Sequence, residues 1–319
     1  MLEADAIITL ERSRYRLRAR LAGSAYGVLW RASPQDGGAD VALKLINHEQ
    51  MARAQPHQQE RWVSSMQQEI AFLRALAPWD GRHIVRLLDS GVQAGLPVMA
   101  LELLDTDLAR HVAAEREAGR AIALARVLDF IAQVNQALAK VHQYGWRYLD
   151  LKPSNLLLDA SRRHLKLADF GTSRALADCT AHTYTGTANW QAPEQFFPAA
   201  DGYLTEARSD YFALGALLFY LVTGGRPLRF CCDCGDAYRQ HQEQAAAALR
   251  ARHQGAVPPV LGDDEAAYFS RCVAREGDGA GALLLLRALL GAEPAQRPPH
   301  AIGISRLLAA IGRDTRLAA

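Results

Sequence analysis

The chain has 319 residues, half of them apolar, with 36 lysines and arginines against 34 aspartates and glutamates. That length buries a sizeable core, as one bilobal domain or two small ones. A net charge of +2 gives no global pull toward nucleic acid or a membrane surface, and the five scattered cysteines argue against a disulfide framework. The longest apolar run, Tyr211 to Val222, is short of the roughly 20 residues of a membrane span. The first residues carry early acids and no apolar stretch flanked by bases, so no leader peptide is expected. A cytoplasmic protein with no membrane span and no nucleic-acid partner follows as the expectation. The richness in Ala, Leu and Arg points to a GC-rich bacterial genome.

Residues 1–14 read as a polar lead-in. From Tyr15 to Leu45 the signals are those of strands: YRLRARL alternates, GSAYG turns, VLWRA runs on, SPQDGGAD turns again, and VALKLI is a second apolar run. This predicts a meander of three antiparallel strands. Gln58 to Leu76 reads as a helix, with Ile70, Leu73 and Leu76 at helical spacing. HIVRLLDSGV and LPVMALELL are two further strand-like runs. Beyond Asp107 helical signals dominate. VLDFIAQVNQALAKVHQYG is amphipathic, and ARSDYFALGALLFYLVTGG is apolar nearly all round, as a buried helix ending at Gly224 and Gly225 would be. Between them LLLDASRRHLKLADFG suggests a short β region. The fold class is α+β and bilobal. A small antiparallel sheet plus one helix covers 15–104, a hinge falls near Leu104, a larger helical part covers 105–308, and a tail covers 309–319.

Several segments carry chemistry. The turn in LAGSAYGVLWRA has small residues, which let backbone N–H groups approach phosphate oxygens; it equally fits a plain hairpin. Lys44, in VALK, is a solvent-facing lysine or a cation for a phosphate. Glu69, in QQEIAFLRAL, is a solvated helical acid or the partner that orients Lys44. In YLDLKPSN, Asp150 precedes Lys152, and Asn155 follows. Asp169-Phe170-Gly171 comes after a hairpin-sized interval. Two acids and an amide converging on one cleft suit a hard cation such as magnesium, although Asp and Asn are also turn formers. GTANWQAPE, Gly186 to Glu194, is a loop when seen alone.

Taken together and in this order, these segments resemble the protein-kinase signature set, in the Hanks-type, eukaryotic-like serine/threonine branch. The resemblance covers about Tyr15 to Leu308. It implies a bilobal kinase fold, ATP as phosphoryl donor, Mg2+ (or Mn2+ in its place) as cofactor, and a protein substrate. The loop Leu21 to Leu29 would cover the ATP phosphates, through Leu21, Ala22, Ser24 and Gly27. Lys44 would contact the phosphates and pair with Glu69. Leu101 would be the gatekeeper, and Glu102 and Leu104 would present backbone groups to adenine, sandwiched by Leu29, Ala42 and Leu157. Asp150 would accept or orient the substrate hydroxyl proton, Lys152 would neutralise the transferred phosphate, and Asn155 and Asp169 would hold the metal. Leu87, Leu73, Phe170 and Tyr148 would stack. Glu194 would pair with Arg297, and Asp210 would tie down the catalytic loop.

Two departures stand out. Ala22 and Ser24 occupy positions where the family usually has glycine, which narrows backbone freedom and predicts weaker or slower nucleotide handling. Tyr148-Leu149 replaces the usual His-Arg before the catalytic aspartate. Leucine cannot receive a phosphate, so activity without activation-loop phosphorylation is expected. Thr172, Ser173, Thr180, Thr183, Tyr184 and Thr185 still leave hydroxyls for autophosphorylation. Lys152 and Gly186-Thr187 resemble the serine/threonine branch. The segment CCDCGDAYRQH matches no kinase motif. It reads as free thiols in a variable loop or, less well, as a zinc site. Two rival readings are a pseudokinase acting as a nucleotide-binding scaffold and a small-molecule kinase.

Overall fold

The computed structural model describes residues 3–23, 27–182, 184, 186–274 and 279–317, with side chains up to 311 in the last segment. The chain divides into two compact units. One comprises Met1–Asp105 with Ala168–Gly171, the other Thr106–Leu167 with Thr172–Ala319.

The first unit is built on a six-stranded antiparallel sheet. In chain order the strands are β1 (Ile7–Thr9), β2 (Arg14–Gly23), β3 (Gly27–Pro34), β4 (Val41–Ile46), β5 (Leu87–Gln93) and β6 (Leu96–Glu102), arranged β1-β2-β3-β4-β6-β5. Two helices intervene, α1 (His48–Arg53) and α2 (Pro56–Ala75). Ile8, Leu10, Tyr15, Leu17, Val41, Leu43, Leu45 and Val98 form one cluster on one face, and α2 packs on β5 and β6. This explains why VALKLI is apolar at every position but Lys44: a strand covered on both faces does not alternate.

Residues 1–14 are not merely a polar lead-in. Ile7–Thr9 pairs with Arg14–Arg16 at the sheet edge, and Ile8 and Leu10 are buried in the cluster. Three residues with one inward side chain are too short to show a period in the sequence. The long helix starts at Pro56, two residues ahead of Gln58. Proline is suited to a first helical position, where its missing N–H is no loss, and the Gln58 side chain accepts the Gln55 N–H at 3.1 Å.

The second unit is mainly helical. It contains β7 (Thr106–Asp107), α3 (Leu108–Glu117), α4 (Leu124–Gln143), β8 (Trp146–Arg147), β9 (Leu156–Leu158), β10 (Leu165–Leu167), β11 (Arg174–Ala175), α5 (Pro193–Phe196), α6 (Ala207–Val222), α7 (Arg229–His241), α8 (Ala245–Arg252), α9 (Asp263–Val273), α10 (Gly279–Leu289) and α11 (Ala301–Leu317). β7, β9 and β10 make a small sheet, and β8 pairs with β11. α6 is the central element, buried almost all round and flanked by α4, α9 and α10. Each of its fully buried leucines and phenylalanines contributes about 1.5–3 kcal/mol relative to exposure. α11 continues through the expected tail to Leu317. Among the described residues no helix is long and apolar enough to cross a membrane.

Cys231, Cys232 and Cys234 lie in α7 rather than in a loop. Phe230, Cys231, Cys234 and Ala237 recur at helical spacing and are buried, so two of the thiols behave as small apolar side chains. All five cysteines are free. Burial pushes the Cys231 and Cys234 thiols well above the ordinary range.

Candidate active site

Within the first unit, the two-residue period of β4 sends Leu43 and Leu45 into the cluster and Lys44 to the opposite face. There the Lys44 Nζ donates to Glu69 Oε2 at 2.7 Å and to Asp169 Oδ1 at 2.9 Å. Glu69 comes from α2 and is 1% exposed. Burial opposes the charge on Lys44, but the Asp169 and Glu69 carboxylates outweigh it and hold the ammonium above its usual pKa. Burial also raises Glu69, opposed by the Lys44 ammonium and reinforced by the Asp169 carboxylate beside it. The backbone of Asp169 is left-handed, with φ 62°, a conformation that costs roughly 1–2 kcal/mol in a residue bearing a side chain. Its neighbours fasten it to α2. The Phe170 ring lies 4.6 Å from that of Phe72, and the Ser65 hydroxyl donates to the Gly171 carbonyl. Phe72 and Ser65 were not singled out from the sequence. Leu73 was, and it is also buried, while Leu87 is half-buried.

Of the other residues assigned to a nucleotide, Leu21, Ala22, Gly27, Leu29, Ala42, Leu101 and Glu102 lie on the same sheet. Ala22 pairs with Leu29, and Leu29 with Lys44. Ala42 pairs with Leu101, which is buried. Leu21 and Ala22 thus stand on β2 and not in the loop. A Cβ on Gly27 would sit 3.3 Å from the Leu45 carbonyl, tighter than an ordinary contact. Ser24 lies outside the described residues. The Glu102 N–H donates to the Arg86 carbonyl at 3.0 Å, and its carboxylate accepts the Arg86 N–H at 2.8 Å. Leu104 is half-buried.

In the second unit both carboxylate oxygens of Asp150 are held. Lys152 Nζ donates to Oδ2 at 2.7 Å, Asn155 Nδ2 to Oδ2 at 3.1 Å, and Thr187 Oγ1 to Oδ1 at 2.7 Å. Lys152 also reaches Thr187 Oγ1 at 2.7 Å. Asp210, buried in the first turn of α6, accepts the N–H of Tyr148 at 2.8 Å and of Leu149 at 2.7 Å, and lies 2.8 Å from His142 Nε2. Leu149 is left-handed, with φ 67°. Asp210 on its N–H and Gln195 Nε2 on its carbonyl, at 3.0 Å, maintain that strain. Leu157 sits on β9 opposite Lys166 and Asp107. The Arg297 guanidinium grips Glu194 with two bonds of 2.6 and 2.9 Å. His142 and Gln195 escaped the sequence reading, since nothing in local spacing marks them.

The oxygen chemistry fits a hard cation. Asn155 directs its amide nitrogen to the Asp150 main-chain carbonyl at 3.0 Å and to its carboxylate, so the amide oxygen is the atom left to face an ion. Asp169 is an acid about half exposed. Oxygen donors of this kind suit Mg2+. Among the described residues no group of three or more His, Cys, Asp or Glu could hold a metal ion.

In the segment after Gly171, Ser173 is buried and Thr180 exposed. The Tyr184 ring stacks on Tyr238 at 4.6 Å, and burial, with Tyr238 beside it, raises its pKa.

A family model for the protein kinase domain matches residues 17–301. Curated proteins are similar as well. A probable serine/threonine-protein kinase, pknA2, of Bifidobacterium longum is 28% identical over 67% of this chain and 27% of its own length. The serine/threonine-protein kinase PkaA of Streptomyces coelicolor is 32% identical over 67% of this chain and 40% of its own. The serine/threonine-protein kinase pkn3 of Myxococcus xanthus is 26% identical over 95% of this chain and 51% of its own. The chain therefore spans about a quarter to a half of the length of these relatives.

Proposed function

The chain belongs to the protein kinase domain family, and from that premise we propose that it transfers the γ-phosphoryl of ATP to serine or threonine hydroxyls of proteins. The observation that carries this reading is the fixed state of Asp150, with Lys152, Asn155 and Thr187 on its carboxylate. A carboxylate held in that way has its lone pairs aimed before substrate arrives, which is the requirement for accepting or orienting a proton.

Lys44, made rigid by Glu69 and Asp169, supplies positive charge to the α- and β-phosphates. Leu21, Ala22, Ser24 and Gly27 cover the phosphates, and Leu29, Ala42 and Leu157 enclose adenine. Leu101 sets the depth of the adenine site, while backbone groups of Glu102 and Leu104 read its edge. Lys152 offsets charge on the phosphoryl group in flight, and Asp150 takes the acceptor's proton. Asn155 and Asp169 are the residues we assign to Mg2+, which when bound neutralises the phosphate oxygens and favours release of the diphosphate. Little covalent help is needed in phosphoryl transfer; positioning and charge do most of it.

Leu149, buried and aliphatic, offers no charge to a phosphorylated activation segment, so activity does not require that modification. Thr180 is the exposed acceptor among the described hydroxyls for any autophosphorylation. The reaction belongs in the cytoplasm, where ATP is supplied and free thiols persist. Incubation of the purified chain with radiolabelled ATP, Mg2+ and a panel of protein acceptors tests this, followed by phosphoamino-acid analysis. Label in phosphoserine and phosphothreonine is expected. Label in a small-molecule acceptor alone, or nucleotide binding with no transfer at all, would overturn it.

A further inference from the structure

Among the described residues Arg147 is one of the largest buried side chains, at 1% exposure. Desolvating a guanidinium costs several kcal/mol, and an aliphatic residue would fill the space more cheaply. Among the described residues no carboxylate lies in ion-pair contact with it, and its Nε has no hydrogen-bond partner. Its other donors go to main-chain carbonyls of the activation segment. Nη1 donates to Ala175 at 3.0 Å and Nη2 to Asp178 at 2.8 Å. Strand pairing fixes this reach, because Arg147 on β8 stands opposite Arg174 on β11.

The turn that Arg147 grips is closed by a second charged contact. Arg174 pairs with the Asp178 carboxylate. Asp178 Oδ1 also accepts the Thr180 N–H at 3.2 Å and hydroxyl at 2.5 Å. The Leu176 N–H is held by the Gly145 carbonyl at 2.7 Å. An aspartate therefore already occupies the place beside Arg174 where a phosphate would pair. A phosphate on Thr180 would instead bring like charge against Asp178. Upstream of this turn lies β8, which leads into Asp150; downstream lies Thr187, which bonds Asp150.

We propose that Arg147 is a positioning residue that, with the Arg174–Asp178 pair, holds residues 175–180 by built-in charge in place of a phosphate, and so keeps Thr187 on Asp150. This rests on the reading that activity needs no activation-segment phosphorylation. Kinetics of the full chain after phosphatase treatment provide the test, for wild type, Arg147→Met, Arg147→Lys and Asp178→Asn. They are combined with the rate of trypsin cleavage after Arg174. The treated wild type keeps its activity. Arg147→Met and Asp178→Asn each lower kcat about tenfold, the weight of one charge-assisted hydrogen bond, leave the KM for ATP unchanged, and speed the cleavage. Arg147→Lys, which retains a cation and reaches one carbonyl, falls between. Wild-type kcat and wild-type cleavage in Arg147→Met and Asp178→Asn would overturn the proposal while leaving phosphorylation-independence intact. Should Arg147→Met fail to fold, Asp178→Asn, at a partly exposed side chain, decides alone. If phosphatase abolishes wild-type activity and rephosphorylation restores it, the underlying reading falls first, and the proposal with it.

Discussion

The hydroxyl of Thr187 donates to Asp150 Oδ1 at 2.7 Å, while Lys152 bridges both residues from the other side. A loop residue thus completes the environment of the proton acceptor. Thr187→Ala removes one hydrogen bond to a charged group, a change of about 1.5–3 kcal/mol. We expect kcat to fall by at least an order of magnitude, with the KM for ATP unaffected and activity largely kept in Thr187→Ser. Steady-state kinetics on the three proteins check this.

Asp150→Asn keeps the shape and takes away the base. Loss of general-base assistance costs about 10²–10⁴ in rate, so kcat drops by that order. Nucleotide binding, followed by fluorescence of a labelled ATP analogue, should remain close to wild type, because Asp150 is not assigned to the nucleotide.

Lys44 and Glu69 join β4 to α2 through an ion pair that the sheet and helix both bury. In Lys44→Met the Glu69 carboxylate is left buried without its cation, an arrangement that costs about 3–5 kcal/mol when it stays ionised. The expected outcome is loss of phosphoryl transfer together with a lower Tm. In the double variant Lys44→Met/Glu69→Met the Tm recovers and activity does not. Thermal melts read beside the transfer assay separate the two effects.

The parts of the site that were legible in the sequence are those whose chemistry demands a residue type. Lys44, Glu69, Asp150, Asn155 and Asp169 could be named only through the family resemblance: taken alone, Lys44 and Glu69 read equally as solvent-facing charges and the other three as turn formers, and the order of the segments gave them their roles. The Glu194–Arg297 contact was named from the family resemblance, and the side chains meet. What could not be read are residues whose role depends on pairing between distant segments. Arg147 looked like any arginine beside a tryptophan, and only the β8–β11 pairing buries it. His142 has the look of a surface residue at a helix end until α6 brings Asp210 to it. The same limit explains β1, too short to show alternation, and the cysteines of α7, which read as free thiols in a variable loop until the helix buries two of them.

Arg297 has no exposed side-chain surface and satisfies Glu194 with two bonds. Ser209 donates to the same carboxylate at 2.7 Å. Arg297→Met leaves that acid in a partly closed site with one neutral donor. Removal of one member of such a pair costs about 3–5 kcal/mol, so chemical denaturation should show a loss of that size. Any loss of activity should follow the unfolded fraction.

Thiol reactivity follows burial. Cys231 and Cys234 have pKa values raised by burial. Their thiolate form is therefore scarce at pH 8, whereas an unfolded thiol ionises near pH 8.5. Iodoacetamide at pH 8 should label the exposed Cys179 in the folded protein and spare Cys231 and Cys234. All five cysteines should react in denaturant, with peptide mass spectrometry reading the sites.

Transfer of label from γ-labelled ATP to protein, compared between wild type and Asp169→Asn at equal folded concentration, addresses the central assignment most directly. Incorporation by the wild type that requires divalent cation and falls to background in the variant is the expected result. Equal incorporation by the two proteins would contradict it, as would none by either.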